Sequence, residues 1–475
     1  MIKTTIYYFL ILLLLNCSAY AAAMTSTIDD QKAVEVTVYN SNVGLVKDTR
    51  RLELPLGVGE LRFMDVASSI LPYTVHVQSL GSPEGLNVLE QNFEYDLMDS
   101  EKLLDKYVGK DIKLLTINKD GDKKEIVDAT LLSNNNGPIY KINNEIYLGY
   151  PGTQILPEIP ENLIAQPTLS WTYENNNAGP QTVQVAYLTD NITWQADYIV
   201  VVNNDDTKAN IDGWVTLDNK SGATYKNAKL KLVAGQVNRV QGAMDAMSAP
   251  RMGVGLMMAK AAFRPQFQEQ SFFEYHIYDL ERKTTIKDNQ TKQVNLLQAD
   301  DVGIKKEYQV RGDENDFFNN FNGEEAVKMP VNVYLKFRNS KENHMGMPLP
   351  SGTIRLYKKD AQDSLEFAGE DTIRHTPKDE DVEIKAGEAF DVVAERQQTD
   401  FQQNNRSFET AWEITVRNHK DSGIKVGIIE TVNGDWKVLD SSVPYKKINA
   451  STIRFDVGVD RDQEVKVTYR VRVRN

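Results

Sequence analysis

Cysteine is almost missing from this chain. Of 475 residues only Cys17 carries a thiol, and it lies in the apolar N-terminal stretch. Once that stretch is removed, no disulfide, Cys-ligated zinc site or cysteine nucleophile is available. Histidine is scarce as well: His76, His276, His344, His375 and His419 stand alone, with no pair at i, i+2 or i, i+4 to form a local metal-ligand set. The chain has no Gly-x-Ser-x-Gly elbow and no glycine-rich phosphate loop. No cofactor and no metal are therefore expected. After residue 21 no apolar run reaches the ~20 residues that span a bilayer, so the chain does not read as transmembrane. Positive charge is in the minority, 54 Lys and Arg against 67 Asp and Glu, a net charge of −13. That balance works against nucleic acid or anionic lipid as a general partner and favours solubility.

What is present begins at the N-terminus. Lys3 precedes the apolar run Ile6 to Leu15, and Ala19-Tyr20-Ala21 precedes a polar segment. A positive start, a short apolar core and small residues at −3 and −1 predict a secretory signal peptide over 1–21, cut between Ala21 and Ala22. Cleavage after Ala23 is the alternative. Cys17 could instead be the lipidated first residue of a lipoprotein, but Asn16 precedes it where Gly, Ala or Ser is usual. Ordinary cleavage is the favoured reading. The expected product is exported, periplasmic or extracellular, and an absence of disulfides suits a bacterial periplasm.

The length suits about three domains, and nearly everything after Asp30 reads as strands and turns. Val34, Val36 and Val38 alternate with Glu35, Thr37 and Tyr39, the period of a half-buried strand. Residues 30–98 are expected to form an N-terminal part of a β-sandwich. Ser100 to Tyr107 reads as a short helix with a Ser cap and a stop at Gly109. It opens an insertion over 99–166, whose hairpins turn at Asp120-Gly121 and Asn143-Asn144 and predict a small β-barrel. Residues 167–405 predict a central sandwich region, interrupted by a Met-, Ala- and Gly-rich loop at 242–263. Residues 406–475 predict an immunoglobulin-like sandwich. There Val465, Val467, Tyr469, Val471 and Val473 line one face of a strand and Lys466, Thr468, Arg470, Arg472 and Arg474 the other. The fold class is all-β, multidomain.

Several segments resemble a known family. Tyr187 to Tyr198 (YLTDNITWQADY), Gly213-Trp214 with the three residues after them, and Ala228 to Gly235 (AKLKLVAG) carry the likeness. So do Leu280 to Thr291, Gly346-Met347-Pro348-Leu349-Pro350, His375 to Lys378, Phe390-Asp391-Val392 and Asn433 to Trp436. Together they resemble the family of hypothetical proteins known as domain of unknown function 4139, from about Val34 to the C-terminus. The resemblance implies exported or envelope β proteins. The mucoidy-inhibitor label of some relatives implies a link to surface polysaccharide. It brings no catalytic residues.

Three sets of residues could carry chemistry. His375 with Asp379, Glu380 and Asp381 is the one place where an imidazole stands beside several carboxylates, the material of general acid–base work. The same composition, Thr376-Pro377-Lys378-Asp379, also makes a solvated turn, and that is the favoured reading. Met244, Met247, Met252, Met257 and Met258 could hold Cu(I) or form an adaptable contact surface, but a flexible loop without ligand is favoured. Trp171, Trp194, Trp214, Trp412 and Trp436 could include a sugar-stacking platform, although each sits singly within a predicted strand, where core packing is the default. The expected function is a non-catalytic envelope module that binds an unknown envelope protein or glycan. A hydrolase of envelope polysaccharide or peptide, with carboxylates converging from separate strands, is the alternative.

Overall fold

The computed structural model describes residues 23–117, 124–160, 163–235, 237–238, 266–321, 325–404 and 407–474. Ala21, Ala22, the five methionines of the 242–263 loop and the Asp120-Gly121 turn lie outside the described residues. Strands make up 63% of the structure, which fixes the all-β class; among the described residues the one α-helix is Ser100–Lys106, seven residues long. None of the described helices is long and apolar enough to cross a membrane. The described residues divide into two compact units, one within 23–36, 45–191 and 220–228, the other within 37–44, 192–219 and 229–474.

In the first unit a four-stranded sheet runs in the order Met24–Ser26, Gly57–Met64, Thr168–Asn175, Leu86–Glu94. Its first pair is parallel and the others antiparallel. Alternation places Leu61, Phe63, Leu169 and Trp171 on a buried face and Glu60, Arg62, Ser170 and Thr172 on the other. The strands Val43–Leu52, Gln181–Asp190 and His76–Ser79 are neighbours in a second sheet. Arg50 ties the two sheets. Its fully buried guanidinium pairs with Asp48 at 2.8 Å, donates to the carbonyls of Ser26 and Met64, and lies 3.6 Å from the centre of the Phe63 ring.

The insertion follows. Asp99, not Ser100, caps the helix, its carboxylate accepting from the Lys102 amide at 2.8 Å; Gly109 (φ +83°) stands where the stop was expected. Five strands run in the order Glu145–Leu148, Ile139–Ile142, Lys124–Ser133, Asp111–Ile117, Thr153–Ile155. Asn143 (φ 46°) and Asn144 (φ 74°) make the expected tight turn. The expected barrel is corrected: the sheet is open. Its outer strands have four and three residues and do not pair with each other, whereas closure needs hydrogen bonding right round the ring. The core, Ile112, Leu114, Leu131 and Tyr140, is covered instead by Leu104 and Tyr107 of the helical segment.

The second unit holds a five-stranded sheet, Gln290–Gly303, Lys208–Asn219, Ile192–Val202, Gly352–Lys359, Leu365–Ile373, and the hairpin Phe267–Phe272 with Tyr275–Leu280. Trp194 and Tyr278 meet edge to face at 6.3 Å between them. The C-terminal sandwich follows, its core formed by Trp412, Ile414, Ile428, Phe455, Val467, Tyr469 and Val471 among others. The alternation of Glu464–Arg474 is realised, with Val467, Tyr469, Val471 and Val473 buried. The two sheets also take in strands from Lys305 onward. One contains Asp381–Glu388, Asn332–Arg338 and Lys305–Arg311 beside Ile424–Thr431 and Thr452–Val459; the other pairs Val392–Asn404 with Ser407–Asn418 and Glu464–Arg474.

Candidate functional site

His375 lies in the connection between Leu365–Ile373 and Asp381–Glu388. Two devices hold that connection against the segment Met347–Pro350. The fully buried Asn339 donates its side-chain amide to the carbonyls of Met347 and Pro377, both at 2.9 Å. Leu349 and Thr376 exchange backbone hydrogen bonds of 2.8 and 2.9 Å. The prolines of Met347–Pro350 are anchored in turn: Tyr278 donates to the Pro348 carbonyl at 3.0 Å and Tyr198 to that of Pro350 at 2.7 Å. Ser351 is thereby fixed beside the His375 ring.

The contacts of that ring determine its chemistry. The Ser351 amide donates to His375 Nδ1 at 3.1 Å, and Ser351 Oγ lies 3.3 Å from Nε2. A neutral imidazole has one donor and one acceptor nitrogen. With Nδ1 accepting, Nε2 carries the proton and faces Oγ as a donor, the reverse of what a general base for that hydroxyl requires. Shielding from solvent pushes the His375 imidazole below its ordinary value, and the neighbouring His276 adds to the push. His276 itself bonds Glu269 Oε1 through Nδ1 at 2.7 Å. No hydrogen bond or ion pair among the described residues joins His375 to Asp379 or Asp381. Asp379 sits at φ 63° in the turn and donates its amide to the Asn339 carbonyl at 2.7 Å, and Asp381 pairs with Arg338 at 3.1 Å. Among the described residues no group of three or more His, Cys, Asp or Glu is placed to hold a metal. Ser351, His276 and Glu269 escaped sequence reasoning because they stand 24, 99 and 106 positions from His375; the prolines flanking Leu349 were the one local sign of a fixed connection.

The tryptophans divide. Trp171, Trp194 and Trp412 are buried, between 2 and 4% exposed, so their faces are taken by core neighbours. Trp214 and Trp436 are half-buried, and the Trp436 indole donates to the Ala450 carbonyl with Lys447 over its ring at 4.4 Å.

A second arrangement lies in the first unit, on the polar face of its four-stranded sheet. Register sets Arg62, Ser170 and Asn92 side by side across three strands, with Glu60 opposite Thr172 in the next row. These residues floor an open cleft of about 890 Å³, within the range of ligand pockets. Arg62 pairs with Glu94 at 3.0 Å, and the Ser170 hydroxyl donates to the same carboxylate. At the end of the floor Lys102, carried by the helix, pairs with Asp96 at 3.1 Å. Tyr95 is 70% exposed, and its ring stacks on that of Phe93 at 5.6 Å with 26° between their planes. Sequence alternation shows that Glu60 and Arg62 share a face; that Ser170, more than 100 residues on, completes it is a matter of pairing alone.

Sheets, sandwiches and an open cleft define the class: a multidomain all-β protein of several sheets, with a concavity on one sheet face. The chain belongs to the family described as Domain of unknown function (DUF4139), whose model matches residues 183–434. The match takes in Glu269, His276, Ser351 and His375 and leaves the cleft outside it. No curated protein matches the chain.

Proposed function

We propose that this chain is exported, cut between Ala21 and Ala22, and works in the cell envelope by holding a protein or glycan partner rather than by turning one over. The observation that carries the reading is the way charge is used in the cleft. Its cations are engaged with carboxylates, Arg62 with Glu94 and Lys102 with Asp96, which leaves a paired polar surface. A catalytic centre needs a poised nucleophile or base. The bonding of His375 supports the same reading, since its Nε2–H points at Ser351 Oγ as a donor.

The test has two parts. Intact-mass measurement of protein recovered from the envelope should give a chain beginning at Ala22; a chain beginning at diacylated Cys17 would replace export in free form by lipid anchoring. Wild type, His375→Ala and Asp379→Ala are then incubated with envelope glycans and peptides, and released products are measured alongside melting temperature. No product from any of the three, with a partner captured equally by all, is expected. Product from wild type that disappears in either variant at unchanged melting would establish the hydrolase instead.

A further inference from the structure

We propose that the cleft on the four-stranded sheet of the first unit binds an uncharged polysaccharide segment, with Tyr95 as the stacking platform. The inference rests on the binding reading above and names the ligand class.

The floor selects the chemistry. Arg62, Asn92 and Glu94 present planar forked groups, and Ser170 and Thr172 present hydroxyls, all from one sheet face. Forked donors and acceptors at fixed spacing suit neighbouring hydroxyls on a sugar ring, each of which both donates and accepts. Phe93 and Tyr95 line the cleft too, so apolar contact is available beside the polar groups. Fixed charge argues against an ionic ligand. Two cations, Arg62 and Lys102, face three carboxylates, Glu60, Glu94 and Asp96, which leaves one net negative charge in the cleft. Such a balance gives no steering field for an acidic polysaccharide or a basic peptide.

The aromatic pair adds the apolar half of sugar recognition. A pyranose has a face of C–H groups, and an aromatic ring covers it while the hydroxyls reach outward to polar partners. Tyr95 offers an open ring at the rim of the cleft. Phe93, which also lines the cleft, stacks on that ring.

The experiment uses the full chain and titration calorimetry with five probes: dextran, a linear β-1,3-glucan, mannan and chitohexaose as neutral glycans, and alginate as an acidic one. At least one neutral probe should bind, with affinity unchanged between 0.05 and 0.5 M salt, taken as roughly one decade of screening. Tyr95→Ala should weaken that binding roughly tenfold, and Tyr95→Phe, which keeps the ring, less than about twofold. Neither should move the melting temperature, because the side chain is largely solvent-exposed. Binding to alginate alone, weakened by salt, would overturn the proposal. So would no binding to any neutral probe, or equal binding by wild type and Tyr95→Ala. Capture of an envelope protein unaffected by Tyr95→Ala, with no glycan bound, would sink this inference and leave the binding reading standing. Cleavage of a probe would sink the binding reading itself.

Discussion

Replacing Arg396 with methionine tests the account of how the C-terminal sandwich is held. The side chain is 3% exposed, and Glu430 opposite is 1% exposed. Two hydrogen bonds of 3.1 Å join the guanidinium to both oxygens of Glu430; a third reaches Asp316. The guanidinium carbon lies 3.5 Å from the centre of the Trp412 ring. Burial alone would push the Arg396 guanidinium down, but the nearby Glu430, Tyr469 and Asp316 push it above its ordinary value, so it stays charged. Methionine keeps length and apolar volume while leaving a carboxylate in the core without its counter-ion. Removing one partner of such a pair costs about 3–5 kcal/mol. At about 4 kcal/mol, with a decade for each 1.4, amides of Ser407–Asn418 should exchange roughly a thousandfold faster under native conditions. Hydrogen exchange by strand is the suitable assay, because a multidomain chain need not unfold in one transition. Arg396→Met with Glu430→Met removes both charges and should recover most of the loss. A single variant that loses less than about 1 kcal/mol, or a double variant that exchanges as fast as the single, would refute the reasoning.

Three further outcomes are expected. Burial would raise the Glu307 carboxyl, but hydrogen bonds from Lys305 and Lys336, with the charges of Lys336 and Arg454, lower it to about 2. Its contribution is therefore full above the ordinary 4.5 and lost as pH falls through about 2. Glu307→Gln should lower melting at pH 7 and flatten its fall across that window; a curve parallel to wild type would count against it. His375 is depressed, so its contribution is full above the ordinary 6.5 and is lost as pH falls through the lowered value. Nitrogen-15 spectra should show a neutral ring protonated at Nε2 near pH 7.5, and an Nδ1–H tautomer would remove the bonding described to Ser351. Asn144, at φ 74°, should accept glycine without loss and valine only with a loss of about 1–2 kcal/mol. Exchange of the Ile139–Leu148 hairpin amides measures both, and a stabilising valine would show that the turn is not left-handed.

The sequence by itself determined whatever depends on neighbours along the chain. Alternation in Glu464–Arg474 showed which face is buried, because side chains of a strand point to opposite sides by covalent geometry. Asn143-Asn144 announced its turn because Asn tolerates positive φ. The likeness over Tyr187–Tyr198 and the proline-flanked Gly346–Pro350 pointed to the family that the match over 183–434 then established. Pairing decided the rest. The five strands of the insertion form an open sheet whose outer members do not pair, a relation that no single hairpin reveals. His375 took Ser351 and the neighbourhood of His276 in place of the adjacent carboxylates because Asn339, Tyr198 and Tyr278 clamp two distant connections together. Arg62, Ser170 and Asn92 became one surface only when three strands from separate stretches of chain aligned in register. Periodicity tells a residue which face it occupies, but only the closure of long loops decides which other residues share that face.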